Sequence, residues 1–349
     1  MRAARVVLCI GLVCAVMLTS SAANVSAAKF SARPSSPRLP WAHLHNPILG
    51  FDDHGAKDPA LVRSGGRWYA LFSWVDAAGH WSIGITSSTD LRHWSPTTAM
   101  PHDPSVEGEA SPDVVREPNG TWVVTYQSFV HDVAGSAPKL YFRTTTDFRS
   151  FSAQAPLALD VHPGANERVI DGALAWTPAG LLLGYKVGEV NQGEQAFEIA
   201  RSPSGSLDGP WQLVGRPDIQ VLGNTIENYQ FLHVQGRWRL LATSNSFDRP
   251  FLFDLAGDAH RATAWLHWSK GRELHIPQEQ GWNPGKGLTG ETYEHANCAF
   301  LVDRRAIGGR YYLVYEDSPA LDTFGGAGHA QLGIARSRDL IHWSVPPGS

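Results

Sequence analysis

Cysteine is scarce: the 349-residue chain has three. Two of them, Cys9 and Cys14, fall in an N-terminal segment that reads as an export signal, which leaves Cys298 alone in the mature chain. A lone cysteine forms no internal disulfide, so an exported domain of this kind depends on its apolar core. Cys298 itself lies in an apolar strand pattern and reads as an inert core residue rather than a nucleophile. Charge of one sign is also lacking. Lys and Arg number 29 against 33 Asp and Glu, a net charge of −4 at pH 7. No basic stripe or lysine-rich arm occurs, which argues against nucleic acid as a partner. Long apolar runs are missing too. Even the N-terminal run, Val6 to Leu18, falls short of the roughly 20 apolar residues a spanning helix needs. Zinc-ligand spacing, a phosphate loop and a Ser-His-Asp motif are likewise absent.

The N-terminus has the three parts of a secretory signal. Met1-Arg2-Ala3-Ala4-Arg5 is basic, the apolar run follows, and small residues lead to Val25-Ser26-Ala27 as a cleavage site. Val13 stands where a lipobox places a small residue before Cys14, so a lipid anchor is not expected. Residues 1–28 are therefore expected to be the signal, 29–40 a Ser/Pro-containing leader, and 41–349 a single large domain. The protein is expected to be secreted, free of the membrane after cleavage, and monomeric. The last unit runs almost to the C-terminus without a Ser/Thr/Pro linker, so no appended module is expected.

What the chain does have is tryptophan, glycine and proline: 13, 34 and 23 residues. Short apolar runs alternate with turns from Trp41 onward, and no long helical period appears. A pattern recurs five times in which a polar residue opens an apolar run and a second, Gly-led strand follows. Asp58-Pro59-Ala60-Leu61-Val62 precedes Gly66-Arg67-Trp68-Tyr69, and Asp113-Val114-Val115 precedes Gly120-Thr121-Trp122. Asp171-Gly172-Ala173-Leu174 precedes Gly180-Leu181, Glu227-Asn228-Tyr229 precedes Gly236-Arg237-Trp238, and His295-Ala296-Asn297 precedes Gly309-Arg310-Tyr311. The period of roughly 55–70 residues suits four-stranded propeller blades with loops. The fold class expected is all-β, a five-bladed β-propeller, with one polar group per blade converging on the axis.

A second motif marks the outer part of the blades. Ser88-Thr89-Asp90-Leu91-Arg92-His93-Trp94 recurs as Thr145-Thr146-Asp147-Phe148-Arg149-Ser150-Phe151 and as Ser337-Arg338-Asp339-Leu340-Ile341-His342-Trp343. It reads as a tight turn before the outermost strand, with the aromatic residue packed between blades. Glu107 and Glu109 read as loop residues, with either of them an alternative for a catalytic acid. Asp248 to Thr292 reads as the outer strands of blade four and a long loop of the kind that shapes substrate sites.

Carboxyl groups brought from different blades to one axis suit glycoside hydrolysis, in which one group protonates the leaving oxygen and another activates water or attacks the anomeric carbon. The ordered set Asn46-Pro47-Ile48-Leu49, Lys57-Asp58-Pro59, Ser111-Pro112-Asp113-Val114, Ile170-Asp171-Gly172, Ile226-Glu227-Asn228 and Glu294-His295 resembles glycoside hydrolase family 43 over essentially the whole mature chain. The sister family 62 shares the fold and the three carboxylates, and Lys57-Asp58-Pro59 is compatible with it as well. Asn228-Tyr229 after Glu227 and Gly172 after Asp171 depart from the family's usual residues.

The resemblance implies an inverting glycosidase. Asp58 would be the general base that activates water, Glu227 the general acid, and Asp171 the carboxylate that orients the acid and disfavours its ionisation. Asp113 would support the pocket floor. His295 is expected near the axis, on a water or a cation beneath the sugar. No cofactor is required; a calcium ion at the axis is an option to test, with His295 beside it. Trp74 and Phe129, at the ends of second strands, are candidate sugar contacts, and Arg168 and Asn245 are candidate polar contacts. The expected substrates are oligo- or polysaccharides of plant pentoses. α-L-Arabinofuranosidase comes first, then β-xylosidase or endo-arabinanase; a fructan- or galactan-active propeller and a binding propeller without turnover are the rivals.

Overall fold

The computed structural model describes residues 39–129, 137–158, 160–164, 167–189, 195–219, 226–244, 249–277, 296–317 and 330–347. They form five four-stranded antiparallel sheets arranged in a ring, a five-bladed β-propeller. The innermost strands are His54–Ser64, Gly108–Arg116, Glu167–Thr177, Ile226–Val234 and Asn297–Asp303. Each packs against the next, and the fifth against the first. The second strands are Arg67–Asp76, Trp122–Phe129, Gly180–Glu189, Arg237–Ser244 and Tyr311–Asp317.

Blades are covered on both faces, so their strands are apolar runs rather than clean alternations. Tyr311–Asp317 is buried along its whole length. The hairpins turn where the sequence supplies left-handed residues. Gly65 and Gly66 have φ of 54° and 84° between the paired Ser64 and Arg67, as a two-residue turn with right-handed strand twist requires. The outer motif is the expected tight turn. The Ser88 hydroxyl accepts the Asp90 and Leu91 N–H groups, and Asp90 accepts those of Arg92 and His93. Trp94 then donates its indole N–H to the Ile48 carbonyl at 2.7 Å, which ties the outer edge of blade one to the N-terminal segment.

That segment closes the ring. Ile48 and Leu332 pair through the backbone, and Leu49 bridges Leu332. The buried Asn46 amide both donates to the Ile334 carbonyl and accepts the Ile334 N–H. The Asn46-Pro47-Ile48-Leu49 motif is thus the clasp between the first and last blades.

One expectation is corrected here, and the outer strands expected after Asp248 are present. Glu109 is a buried residue of an inner strand, opposite Ser128, and not a loop residue. Its carboxylate oxygens accept no hydrogen bond among the described residues, and burial pushes its pKa up. The stretch after Asp248 contains two outer strands, Arg249–Asp254 and Arg272–Glu273, with a short 3-10 turn, Ala262–Leu266, between them.

Candidate active site

Every inner strand is interrupted by a β-bulge near the axis. Register shifts fall between Lys57 and Ala60, Ala110 and Asp113, Ile170 and Ala173, Glu227 and Gln230, and Asn297 and Phe300. One residue in each bulge takes a left-handed backbone, φ 48–54°: Asp58, Ser111, Asp171, Asn228 and Cys298. A bulge re-aims side chains, and these conformations are strained for residues other than glycine, a cost that concentrates at functional sites. The five bulge residues all line one axial pocket, together with Asp113 and Tyr229.

This register corrects the expected equivalence. Asp58 and Asp171 do occupy the same position in their blades. Asp113 lies two residues beyond its bulge, and Glu227 one residue before. The bulge residue of blade five is Cys298, three residues past His295. The apolar run was visible in the sequence, but the extra residue in each bulge was not, and it shifts which side chain reaches the axis. Cys298 is buried in the inner strand Asn297–Asp303 and borders the axial pocket, and its thiol donates to Asn228 Oδ1 at 3.1 Å. Burial, then Glu316 and Asp58, push its pKa well up, so the inert reading of this thiol agrees with its surroundings.

Asp58 is enclosed by donors. Its Oδ2 accepts the Ser73 hydroxyl at 2.6 Å and the Ser111 hydroxyl at 3.3 Å, and Oδ1 accepts the Asn228 amide at 3.0 Å. Lys57 Nζ lies 3.9 Å from Asp58 and 3.8 Å from Glu316. Burial alone would raise the Asp58 pKa, but the Lys57 charge and the Ser73, Cys298 and Asn228 hydrogen bonds outweigh it and hold the carboxyl below 3.8. Lys57 is itself penalised by burial, yet Asp58 and Glu316 hold its pKa well above the usual lysine value.

Asp171 and Glu227 are joined by a side chain absent from the sequence reading. Lys186, on the second strand of blade three, places Nζ 3.1 Å from Asp171 Oδ2 and 2.6 Å from Glu227 Oε2. Burial works against the ammonium, but the two carboxylates outweigh it and raise the Lys186 pKa. The exposures of the three carboxylates differ usefully: Asp58 and Asp171 are 6% and 5% exposed, Glu227 22%.

The second strands contribute a matching set. Ser73, Gln127, Lys186, Thr243 and Glu316 pair across from the residue just before each bulge. Four of them accept a backbone N–H from the following blade. Ser73 takes Ser111, Gln127 takes Asp171, Thr243 takes Ala299, and Glu316 takes Asp58, at 2.8, 3.1, 3.4 and 2.9 Å. Lys186 has no acceptor and reaches the Glu227 carboxylate instead. These residues follow their bulges by 15 to 18 positions, a recurrence the sequence does carry once the bulges are known.

The remaining candidates separate. Asp113 is buried on the pocket wall, accepts the Leu174 N–H at 3.4 Å, and is pushed by burial to a pKa of about 7. Arg168 pairs with Gly188, two residues from Lys186, and so lies on the same blade face one step nearer the strand start. Trp74 stacks on His54 at 4.3 Å beside Phe51 and is not among the residues lining the axial pocket. Phe129 ends the second strand of blade two, but its side chain lies outside the described residues, as do Asn245 and His295.

A cation at the axis can be tested against the groups present. Asp58, Cys298 and Glu316 bring one ligand atom each to within 4.8 Å of one another. A thiol is a poor ligand for calcium, and Lys57 already supplies the positive charge between the two carboxylates. This set does not fit calcium.

No family model and no curated protein matches the sequence. Solved structures do match. An α-L-arabinofuranosidase from Lactobacillus brevis has a TM-score of 0.59 at 16% identity, covering 87% of this chain and 98% of that one. A family 43 endo-arabinanase from Bacillus licheniformis scores 0.53 at 13% identity over 82% and 94% of the two chains. A xylan β-1,4-xylosidase from Bacillus halodurans C-125 scores 0.56 at 16% identity, over 88% of this chain and 57% of that one. Identities this low establish a shared fold.

Proposed function

We propose that this chain is a secreted, inverting glycoside hydrolase of the family 43 type that removes pentose units from plant polysaccharides, in the first place α-L-arabinofuranosyl groups. The observation that carries the reading is the pairing of a clamped, deeply buried Asp58 with a more exposed Glu227 around one axis. Asp58 is held ionised and serves as the base: it takes a proton from water as the water oxygen bonds to the anomeric carbon. Glu227 serves as the acid, giving a proton to the departing oxygen as the glycosidic bond breaks. Asp171 acts through Lys186, which anchors Glu227 Oε2. The likeness to arabinofuranosidase and arabinanase structures supports the pentose class, and the N-terminal signal supports action outside the cell.

The test is a substrate panel of aryl α-L-arabinofuranoside, aryl β-xyloside and linear arabinan, with the product anomer followed by NMR. Release from the arabinofuranoside with inverted configuration is expected. A protein that binds arabinoxylan but releases sugar from none of the three is a binding propeller, and the reading fails.

A further inference from the structure

The end of the propeller remote from Asp58 holds a second cavity of quite different chemistry. It lies at the seam between blades one and five, with a volume of about 270 Å³. Five arginines line it: Arg63, Arg304, Arg310, Arg336 and Arg338. No carboxylate lines it, and none of the five forms an ion pair among the described residues. Asp303, on the same hairpin as Arg304, is engaged by Arg305 at 2.8 Å. A local charge of this sign is out of keeping with a chain whose net charge is −4.

Packing explains part of the cluster. The Arg63 and Arg304 guanidinium groups lie 5.5 and 5.6 Å from the same Trp68 ring, and Arg336 lies 4.2 Å from Trp41. Such stacking over buried indoles is favourable. It does not account for Arg310 and Arg338, which add charge to the same cavity without an indole beneath them. Nor does it account for placing two cations on one ring. The mutual cost is visible in the titration of the group: burial first, and then Arg63, lower the Arg304 pKa, while burial, Arg310 and Arg338 lower that of Arg336. Arg63 Nε is buried with no hydrogen-bond partner.

We propose that this cavity is a binding site for a multivalent oxyanion, a ligand carrying two or more carboxylate, phosphate or sulfate groups. Guanidinium forks match these groups in geometry as well as charge. With a volume of about 270 Å³ the cavity exceeds a single inorganic anion and admits a uronic-acid residue or a tricarboxylate. Arg63 is five residues from Asp58 along one strand, about 17 Å at 3.3–3.4 Å per residue, so the site is separate from the axial pocket.

Calorimetry on the purified protein at low salt tests this, with inorganic phosphate, citrate and trigalacturonate as probes and xylotriose as the neutral control. Saturable binding of at least one anion, weakening as sodium chloride rises, is expected. Trigalacturonate binding about tenfold tighter than citrate identifies an acidic glycan as the source of the anionic groups, citrate binding as tight as trigalacturonate and tighter than phosphate identifies a free polycarboxylate, and phosphate binding as tight as either overturns the multivalent assignment. The Arg310→Gln/Arg338→Gln pair spares the stacked arginines and should lower affinity at least about tenfold with an unchanged circular dichroism spectrum. Asp58→Asn should bind as the wild type does. Absence of saturable binding to every anion up to about 10 mM, or equal affinity in the double variant, overturns the proposal.

Discussion

Two blade junctions face each other across the axial pocket, and they are built differently. Between blades five and one, Glu316 accepts the Asp58 N–H, and Lys57 sits between the two carboxylates. Between blades three and four the corresponding side chain is Lys186, which cannot accept an N–H and binds Asp171 and Glu227 instead. The first junction fixes both backbone and side chain of its carboxylate. The second holds Glu227 by the Lys186 ammonium and leaves it more exposed. One carboxyl is held ionised in a fixed place, and the other can meet a leaving group and exchange a proton. The difference lies in one residue of a five-fold relay, and the remaining junctions supply the control.

The largest effects should fall on the two carboxyl groups themselves. Asp58→Asn and Glu227→Gln should each lower kcat on natural glycans by about 10²–10⁴-fold with little change in fold. They should part on a dinitrophenyl glycoside, whose leaving group needs little protonation. Glu227→Gln should recover most activity there, and Asp58→Asn should not. If Asp58→Asn keeps wild-type rates, the base lies elsewhere and Asp113 is the next residue to substitute.

Lys186 comes second. Lys186→Met leaves two carboxylates facing each other without their cation, and loss of one partner from a buried ionic cluster costs about 3–5 kcal/mol. Lys186→Gln should lose less, because an amide can accept a backbone N–H as Gln127 does for Asp171. Denaturant titration gives the stabilities, and turnover is read beside them. The comparison breaks if Lys186→Gln is as active as the wild type, since the junction would then need no cation.

Ser73 is a smaller test of the fixed side. Its hydroxyl donates to Asp58 Oδ2 and accepts the Ser111 N–H. Ser73→Ala removes both and should cost about 1–3 kcal/mol, the range for leaving buried groups unsatisfied. Ser73→Thr keeps the hydroxyl and should recover most of it.

The propeller was legible because each blade repeats an apolar run and a turn at a near-constant period, and hydrophobic burial enforces both. Asp58 and Asp171 were legible for the same reason, as polar residues at the head of an apolar run. The bulge was not. It adds one residue without changing the run, so the left-handed bulge position falls to Ser111, Asn228 and Cys298 in blades two, four and five, which no spacing rule displays. Lys57 and Lys186 were missed because buried lysines are seen only through the carboxylates they neutralise, and those partners come from other strands. Trp74 packs on His54 and Phe51, a contact no spacing rule displays.

The last prediction tests the fixed junction by pH. Burial raises the Glu316 pKa from 4.5 to about 7, and that of Asp113 from 3.8 to about 7. In both cases the folded state holds a proton that the unfolded chain has already released. Stability therefore falls as pH rises from about 4.5 to about 7, by at most about 1.4 kcal/mol per pH unit for each group. Asp58 has the opposite sign: its depressed pKa contributes stability above 3.8 that is lost on further acidification. Glu316→Gln keeps an acceptor for the Asp58 N–H while removing one titrating group, so its unfolding profile should flatten across that window. The slope that remains belongs to Asp113, and Glu316→Gln/Asp113→Asn should remove it as well. Urea midpoints at half-unit steps of pH give the profile. An undiminished slope in the double variant would mean that neither acid carries the extra proton.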